Sequence, residues 1–172
     1  MTQIFLGLGS NLGEREQALF SAIEQLVTMH AISAPVISPL YQSPALLPEG
    51  APNEWNIDFI NAVAQAETQL SPEALLQAIK QTEAAMGRTN RGHWAPREID
   101  IDILAYEDVV LELDTLHLPH PHIATRDFVL LPWCDIAPNW MHPITRLSIR
   151  SLCANLTNST ARPIEAGILK VV

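Results

Sequence analysis

Residues 98–103 read EIDIDI, and this alternation constrains the fold more than any other stretch of the sequence. Successive side chains of a β-strand point to opposite faces of the sheet. We therefore predict a strand with Ile99, Ile101 and Ile103 on a buried face and the carboxylates on the other face. A half-buried strand with a solvated acidic face would explain the run. Neighbouring carboxylates on one face also repel each other, and a divalent cation would relieve that repulsion.

Hydrophobic periodicity up to Tyr106 predicts the order strand, helix, strand, strand, helix, strand. The second helix has the clearest ends, because Ser71 is a favourable N-cap, Pro72 suits the first turn and Gly87 follows the last. This order predicts an α/β (α+β) fold of the ferredoxin-like βαββαβ type, an antiparallel sheet with helices packed on it. The predicted strands are residues 4–8, 32–43, 57–68 and 98–106, and the predicted helices are residues 14–30 and 71–86.

The chain beyond residue 106 is less regular in its pattern. We expect a short hairpin and then a C-terminal helical extension, with one helix near residues 126–131 and another near residues 147–156. A chain of 172 residues is long enough for one domain with its own core. Since no repeat or linker interrupts the sequence, we predict a single domain over residues 1–172.

The overall charge limits the possible partners. The formal net charge is -9, with 10 Lys and Arg against 19 Asp and Glu, which argues against a nucleic-acid or membrane-surface partner. No signal peptide or long apolar run is expected from the sequence. The two cysteines, Cys134 and Cys153, lack metal-ligand spacing and suit buried thiols in a reducing compartment. These features predict a cytoplasmic protein.

Positive charge is nevertheless concentrated in one loop, which holds Arg88, Arg91 and Arg97. Guanidinium groups bind phosphate oxygens in a bidentate manner, and the two aspartates that follow could hold a metal that bridges the phosphates. Such a combination is typical of phosphoryl transfer. The alternative is that each arginine pairs with a carboxylate on the surface.

A glycine-rich segment, GLGSNLG at residues 7–13, follows the first strand. It lacks the lysine of a phosphate-binding P-loop, and its third glycine comes one residue too late for a dinucleotide fingerprint. The segment could let the backbone approach a ligand closely, or it could be a tight turn.

Two further segments each pair an aromatic residue with a polar one. A flat heterocycle could stack between Phe59 and Phe128 while Asn61 reads its edge with both a donor and an acceptor. Core packing is the alternative for each phenylalanine. His120 and His122 lack further metal ligands at suitable spacing, so a structural or phosphate-contacting role suits them better.

Six motifs occur in order between Gly7 and Pro132: GLGSNLG, YQSPA, FINAV, E-x-x-x-G-R, W-A-P-R-x-I-D-I-D-I-L and L-P-H-P…R-D-F-V-L-x-P. Together they resemble the 6-hydroxymethyl-7,8-dihydropterin pyrophosphokinases of the folate pathway. The W-x-P-R-x-x-D-x-D run is the most specific of the motifs, and the glycine motif is the least specific.

The resemblance implies a ferredoxin-like fold and transfer of the β,γ-diphosphate of ATP to the pterin hydroxymethyl group, with release of AMP. It implies that Asp100 and Asp102 bind two Mg²⁺ ions and that Arg97 acts beside them in catalysis. The only substrates implied are ATP and the pterin, and a monomer is expected. The implied pterin-binding positions are Ser43, Pro44, Leu46, Phe59, Asn61 and Phe128. The positions implied to bind ATP, or to order the loop over it, are Glu83, Arg88, Arg91, Trp94, Arg97, Ile103, His120 and Arg126.

The sequence departs from the family pattern at Ala95, where glycine is usual, and in a lengthened segment at residues 44–55. Gly87 and Gly92 favour movement of the arginine loop, and we expect Trp94 to close over the nucleotide. Two rival functions remain open: a Mg-dependent phosphohydrolase or nucleotidyl transferase that uses the same aspartates, and a non-catalytic nucleotide-binding domain.

Overall fold

The computed structural model describes residues 1–89, 91–92 and 94–165. Its described part contains a six-stranded antiparallel sheet, a separate two-stranded hairpin and four α-helices. The sheet strands are β1 (Thr2–Ser10), β2 (Ser33–Ile37), β3 (Tyr41–Ser43), β4 (Phe59–Thr68), β5 (Asp100–Tyr106) and β8 (Arg162–Pro163). The hairpin strands are β6 (Leu111–Glu112) and β7 (His117–Leu118), and the helices are α1 (Arg15–Thr28), α2 (Pro72–Ala85), α3 (Asp127–Ile136) and α4 (Ile149–Ala154).

The strand order β5-β1-β4-β3-β8, with β2 also paired to β4, confirms the predicted ferredoxin-like arrangement. The second predicted strand is divided into β2 and β3 around Pro39, which cannot donate a ladder hydrogen bond. Ser38 maintains the pairing across this break, because its hydroxyl accepts from the Val63 N–H at 3.0 Å. The sheet therefore continues along β4 although its partner strand is interrupted.

Helices α1 and α2 cover one face of the sheet, as predicted. Every second residue of β1, namely Ile4, Leu6 and Leu8, is buried against them together with Leu19 and Ile79. Ile99, Ile101 and Ile103 lie in the same core, which confirms the alternation read from the sequence. Helix α2 begins as predicted, since the Ser71 hydroxyl accepts from the Ala74 N–H at 3.3 Å.

The opposite face of the sheet is only partly covered. Helices α3 and α4 pack there on Phe5, Val63 and Leu104, and the fully buried Trp133 ring lies 4.7 Å from the Phe5 ring. These two helices confirm the predicted extension, although α3 runs to Ile136 rather than ending near residue 131. The described residues leave the end of the sheet beyond this cluster open, and the candidate site lies there. Among the described residues, no helix has the length and apolar character needed to cross a membrane.

Candidate active site

Two glycines lie in β1, which is paired on both sides, on the face of the sheet that the described helices leave partly uncovered. Gly9 pairs with Asn61 of β4 on one side and with Asp100 of β5 on the other. Gly7 pairs with Asp102 of β5. Directly paired residues share a face, so the missing side chains leave a trough between the carboxylates of β5 and the polar and aromatic residues of β4. The glycine motif therefore provides a close approach to the sheet backbone rather than a phosphate loop.

An aromatic pocket lies on the β4 side of this trough and has a volume of about 190 Å³. Asn61 and Ser43 are both buried in its wall, and the Asn61 amide donates to the Ser43 hydroxyl at 2.9 Å. This bond fixes the orientation of the amide and leaves its oxygen as an acceptor. The structure brings all six predicted pterin-pocket residues together as lining: Ser43, Pro44, Leu46, Phe59, Asn61 and Phe128.

An arginine cleft of about 710 Å³ lies on the other side of β5 and is lined by Lys80, Arg88, Arg91 and Arg97. The carboxylates of Glu83, Asp100 and Asp102 also line the cleft, and its four cations suit the oxygens of a polyanionic ligand such as a triphosphate. Trp94, which we predicted to close over the nucleotide, lines the aromatic pocket in the ligand-free protein and is 44% exposed.

The aromatic pocket and the arginine cleft meet at Arg97, Asp100 and Asp102, which line both. The two oxygens of Asp100 accept from Arg88 at 2.8 Å and from Arg97 at 3.0 Å. Asp102 lies 3.9 Å from both the His120 Nε2 atom and an Arg126 nitrogen. Among the described lining residues, the two pockets share only Arg97, Asp100 and Asp102. The aspartate pair singled out from the sequence therefore lies where the two pockets meet.

The electrostatics of this junction favour a cation. Burial and, second, the negative charge of Asp100 raise the pKa of Asp102 to about 6, although the charge of Arg126 acts in the opposite direction. Although 40% of the Asp102 side chain is exposed, that surface faces the two pockets. Among the described residues, no three His, Cys, Asp or Glu side chains converge on one point. A hard cation held by the two carboxylates would therefore take its remaining ligands from water or phosphate, as Mg²⁺ commonly does.

His120 is a neutral hydrogen-bond donor at this junction. Burial, and then the charge of Arg126, lower its pKa to about 4. Its Nδ1 atom accepts from the His122 N–H at 3.2 Å, which assigns the ring proton to Nε2 beside Asp102. The two predicted residues His120 and Arg126 thus provide one neutral and one cationic donor at the same place.

Buried Glu83 fixes part of the arginine cleft. It accepts from the Ile101 N–H at 2.8 Å and from Lys80 at 2.9 Å, and it also forms a close ion pair with Arg88. Glu83 lines the cleft, but its carboxylate is occupied by these protein groups. Its contacts match the loop-ordering part of the predicted role, since they hold Arg88 against the start of β5.

Two predictions for the nucleotide side require comment. The side chain of Ile103 is 3% exposed and packs in the core beneath α1 and α2, so only its backbone could contact the nucleotide, and its position there stays a prediction. The strand alternation explains this, because Ile103 and Asp102 point to opposite faces. Arg91 forms a bidentate pair with Glu98 at 2.9 and 2.6 Å, and this pair lowers the pKa of Glu98. Arg91 therefore pairs with a surface carboxylate, which was the alternative to phosphate binding, and it also lines the cleft.

Asn11 is a functional candidate to which the sequence analysis gave no separate role. Its side-chain oxygen accepts from the Arg97 N–H at 2.8 Å, and its amide group donates to the Ile57 carbonyl at 3.2 Å. Asn11 is 2% exposed, so these bonds are shielded from water. It joins the loop that holds Arg97 to the segment that leads into Phe59.

Two pockets that share a carboxylate pair and an arginine suit a transferase that joins two substrates, one of them rich in phosphate. Within this class, the chain belongs to the 7,8-dihydro-6-hydroxymethylpterin-pyrophosphokinase (HPPK) family, whose model matches residues 5–138. Membership in this family makes the chain a pterin pyrophosphokinase, an ATP-dependent transferase of folate synthesis.

Two curated relatives match this chain over most of their own length. The 2-amino-4-hydroxy-6-hydroxymethyldihydropteridine pyrophosphokinase of Aquifex aeolicus is 43% identical over 150 residues, which cover 87% of this chain and 89% of the relative. The enzyme of the same name from Methylorubrum extorquens is 37% identical over 96% of this chain and 100% of its own.

Solved structures support the fold. A chain described as HPPK-DHPS in complex with substrates superposes with a TM-score of 0.70 at 14% identity over 94% of this chain. A Plasmodium falciparum HPPK-DHPS chain with pterin and p-hydrobenzoate gives a TM-score of 0.67 at 17% identity over 89% of this chain. This chain covers 46% and 44% of those two chains, so the likeness concerns the fold of one part of each.

Proposed function

We propose that the chain transfers the β,γ-diphosphate of ATP to the hydroxymethyl group of 6-hydroxymethyl-7,8-dihydropterin, with release of AMP, at the junction of the two pockets. The observation that supports this most is that Arg97, Asp100 and Asp102 line both the aromatic pocket and the arginine cleft. A group held in one pocket can therefore react with a group held in the other without leaving the protein.

The pterin is assigned to the aromatic pocket. Its flat ring would stack on Phe59 and Phe128, and the Asn61 amide, oriented by Ser43, would pair with the ring edge. The glycines of β1 leave room for the ring above the sheet. A phosphohydrolase has no need for such a pocket, which favours the transferase over that rival.

The triphosphate is assigned to the arginine cleft, with Asp100 and Asp102 binding two Mg²⁺ ions at its edge. Bound Mg²⁺ would neutralise the charge that develops on the phosphates during transfer. In the ligand-free protein, Asp100 is paired with Arg88 and Arg97. We infer that these arginines turn to phosphate oxygens when the carboxylate binds metal, while His120 and Arg126 donate beside Asp102.

We further propose that the protein acts as a monomer and a single domain over residues 1–172, in the cytoplasm. Both pockets are built from one chain, and each reaches the junction through residues of that chain. Cys134 and Cys153 are free thiols, which is typical of a reducing compartment.

The proposed reaction is tested by product analysis. The protein is incubated with Mg-ATP in the presence and absence of the pterin, and the products are identified by ³¹P NMR and mass spectrometry. The proposal predicts AMP and a pterin diphosphate ester that form only when the pterin is present. Pterin-independent release of phosphate would indicate the hydrolase, and saturable nucleotide binding without turnover would indicate a non-catalytic domain. Asp102→Asn, which keeps the size of the side chain, is the matched inactive control.

A further inference from the structure

In the sequence, Asp127 stands between two residues of the proposed site, but it is not among the described lining residues of either pocket. Its neighbours Arg126 and Phe128 both line the aromatic pocket, and the Arg126 guanidinium lies 5.8 Å from the Phe128 ring centre. Asp127 is 7% exposed, and a buried carboxylate requires partners that compensate for its lost hydration. Its partners come from a distant part of the chain.

Backbone groups of the C-terminal segment, defined as residues 159–164, satisfy this carboxylate. Asp127 Oδ2 accepts from the Thr160 N–H at 2.5 Å and from the Ala161 N–H at 2.9 Å. Asp127 Oδ1 accepts from the N–H of Phe128 at 2.7 Å, within the first turn of α3. Hydrogen bonds to an ionised acceptor are about twice as strong as neutral ones. The same carboxylate therefore binds both the C-terminal segment and the start of the helix that carries Phe128.

The other end of the C-terminal segment is attached to the opposite wall of the aromatic pocket. Arg162 pairs with Gln42 of β3, and the Ile164 N–H donates to the Leu40 carbonyl at 2.9 Å. Strand β3 ends at Ser43, the residue that orients the Asn61 amide. The C-terminal segment thus connects the wall that holds Phe128 with the wall that holds Ser43.

We propose that Asp127 is a positioning residue for the pterin: by holding the C-terminal segment against α3, it fixes the separation of the Phe128 and Ser43 walls. This inference rests on the proposed function of the aromatic pocket. The segment lies beyond residue 138, where the match to the family model ends. The match includes Asp127 but ends before the segment that Asp127 holds.

The chemistry of Asp127 allows a test that changes few atoms. Asp127→Asn has nearly the same shape, but it removes the charge and directs an NH₂ group at backbone donors that need an acceptor. Thr160→Pro attacks the same bond from the other side, because proline has no N–H to donate. Thr160→Ala is its matched control, since it keeps the backbone donor and loses only the hydroxyl, which donates the longest of the three hydrogen bonds to Asp127 Oδ2, at 3.3 Å.

The four proteins, including the wild type, are compared by calorimetry with the pterin in the presence of a non-hydrolysable ATP analogue, and with that analogue alone. For Asp127→Asn and Thr160→Pro we expect the Kd for the pterin to rise on the order of tenfold, and the Kd for the nucleotide to change less than about threefold. Thr160→Ala should resemble the wild type. The steady-state KM for the pterin should likewise rise, while the KM for ATP should change little. Combining Asp127→Asn with Thr160→Pro should add little to either single effect, since both changes break the same contact.

A purely structural role would lower the melting temperature and reduce the affinity for both ligands equally, and that result would overturn the inference. An unchanged pterin Kd in folded Asp127→Asn protein would overturn it as well. If Asp127→Asn does not fold, the comparison of Thr160→Pro with Thr160→Ala decides between the same outcomes. A wild-type protein that neither binds nor converts the pterin would instead refute the proposed function, which separates that failure from this one.

Discussion

Adding one methyl group at Gly9 should block the pterin without unfolding the protein. A Cβ atom at Gly9 would lie 3.2 Å from Asn61 Oδ1 and 3.4 Å from a Phe59 ring carbon. The strand cannot move away, because Gly9 is paired on both sides. The Asn61 and Phe59 side chains must therefore shift into the open pocket that they line, where the pterin is assigned. Overpacking of this kind costs about 1–3 kcal/mol, which corresponds to a loss of about 5- to 150-fold in pterin affinity.

The stability of the ligand-free Gly9→Ala protein should change by less than about 1 kcal/mol. Alanine is favoured over glycine within a strand by about 0.5–1 kcal/mol, which offsets part of the crowding. Pterin affinity is measured by calorimetry in the presence of a non-hydrolysable ATP analogue, and the free energy of unfolding is measured by urea titration. The two measurements separate a blocked pocket from a damaged fold.

Gly7→Ala is the matched control, because it adds the same methyl group to the same face of β1. There the new Cβ would meet the Leu104 side chain at 3.2 Å, and Leu104 is 1% exposed in the core beneath α3. Gly7→Ala should therefore cost about 1–3 kcal/mol of stability and weaken the pterin less than Gly9→Ala does. If Gly9→Ala binds the pterin within twofold of the wild type, the assignment of the ring to the trough above β1 is wrong.

Three further predictions concern the junction and the arginine loop. The raised pKa of Asp102 means that its contribution to stability is present below the unfolded value of 3.8 and is lost as the pH rises through about 6. Asp102→Asn should therefore gain stability relative to the wild type across that window, by no more than about 1 kcal/mol because the side chain is partly exposed. Urea titration of metal-free protein at several pH values measures this. A stability difference between the two proteins that does not change with pH would contradict the prediction. Arg97→Ala should lower kcat about a hundredfold and change the nucleotide Kd less than about threefold, whereas equal losses in rapid-quench kinetics and calorimetry would show that Arg97 serves only binding. Trp94 should move when both substrates bind. Its ¹⁹F resonance in fluorotryptophan-labelled protein is assigned with Trp94→Phe, and it should shift when the ATP analogue and the pterin are added together. An unchanged resonance would exclude closure.

A ¹⁹F probe suits Trp94 better than fluorescence does, because of how the other tryptophans pack. Isolating Trp94 fluorescence would require replacement of the other tryptophans, but Trp133 is fully buried and packs 4.8 Å from the Trp140 ring. Its replacement would damage the core, which is why the ¹⁹F probe is preferable. The expected movement concerns residues 87–96, and Asn90 and His93 of that loop lie outside the described residues.

The central fold could be predicted from the sequence because its signals are local. Alternating isoleucines specified β5 and the face it buries, and Ser71 with Gly87 marked the ends of α2. The same alternation predicted the buried side chain of Ile103.

The features that were missed depend on contacts between distant parts of the chain. Asn11 bonds to residues 46 and 86 positions away, and no local pattern identifies such partners. Strand β8 has only two residues and no periodicity, so it forms only because β3 offers a free edge. The side-chain identities needed for the site were visible in the sequence, but the bonds that orient them were not.

The most direct test of the account is a crystal structure of the protein with Mn²⁺, a non-hydrolysable ATP analogue and the pterin. Mn²⁺ replaces Mg²⁺ with similar ligands and is located by its anomalous scattering. The account predicts two metal peaks at about 2.1 Å from carboxylate oxygens of Asp100 and Asp102, with the triphosphate in the arginine cleft and the pterin between Phe59 and Phe128. Metal peaks away from both aspartates, or a pterin bound outside the aromatic pocket, would contradict it.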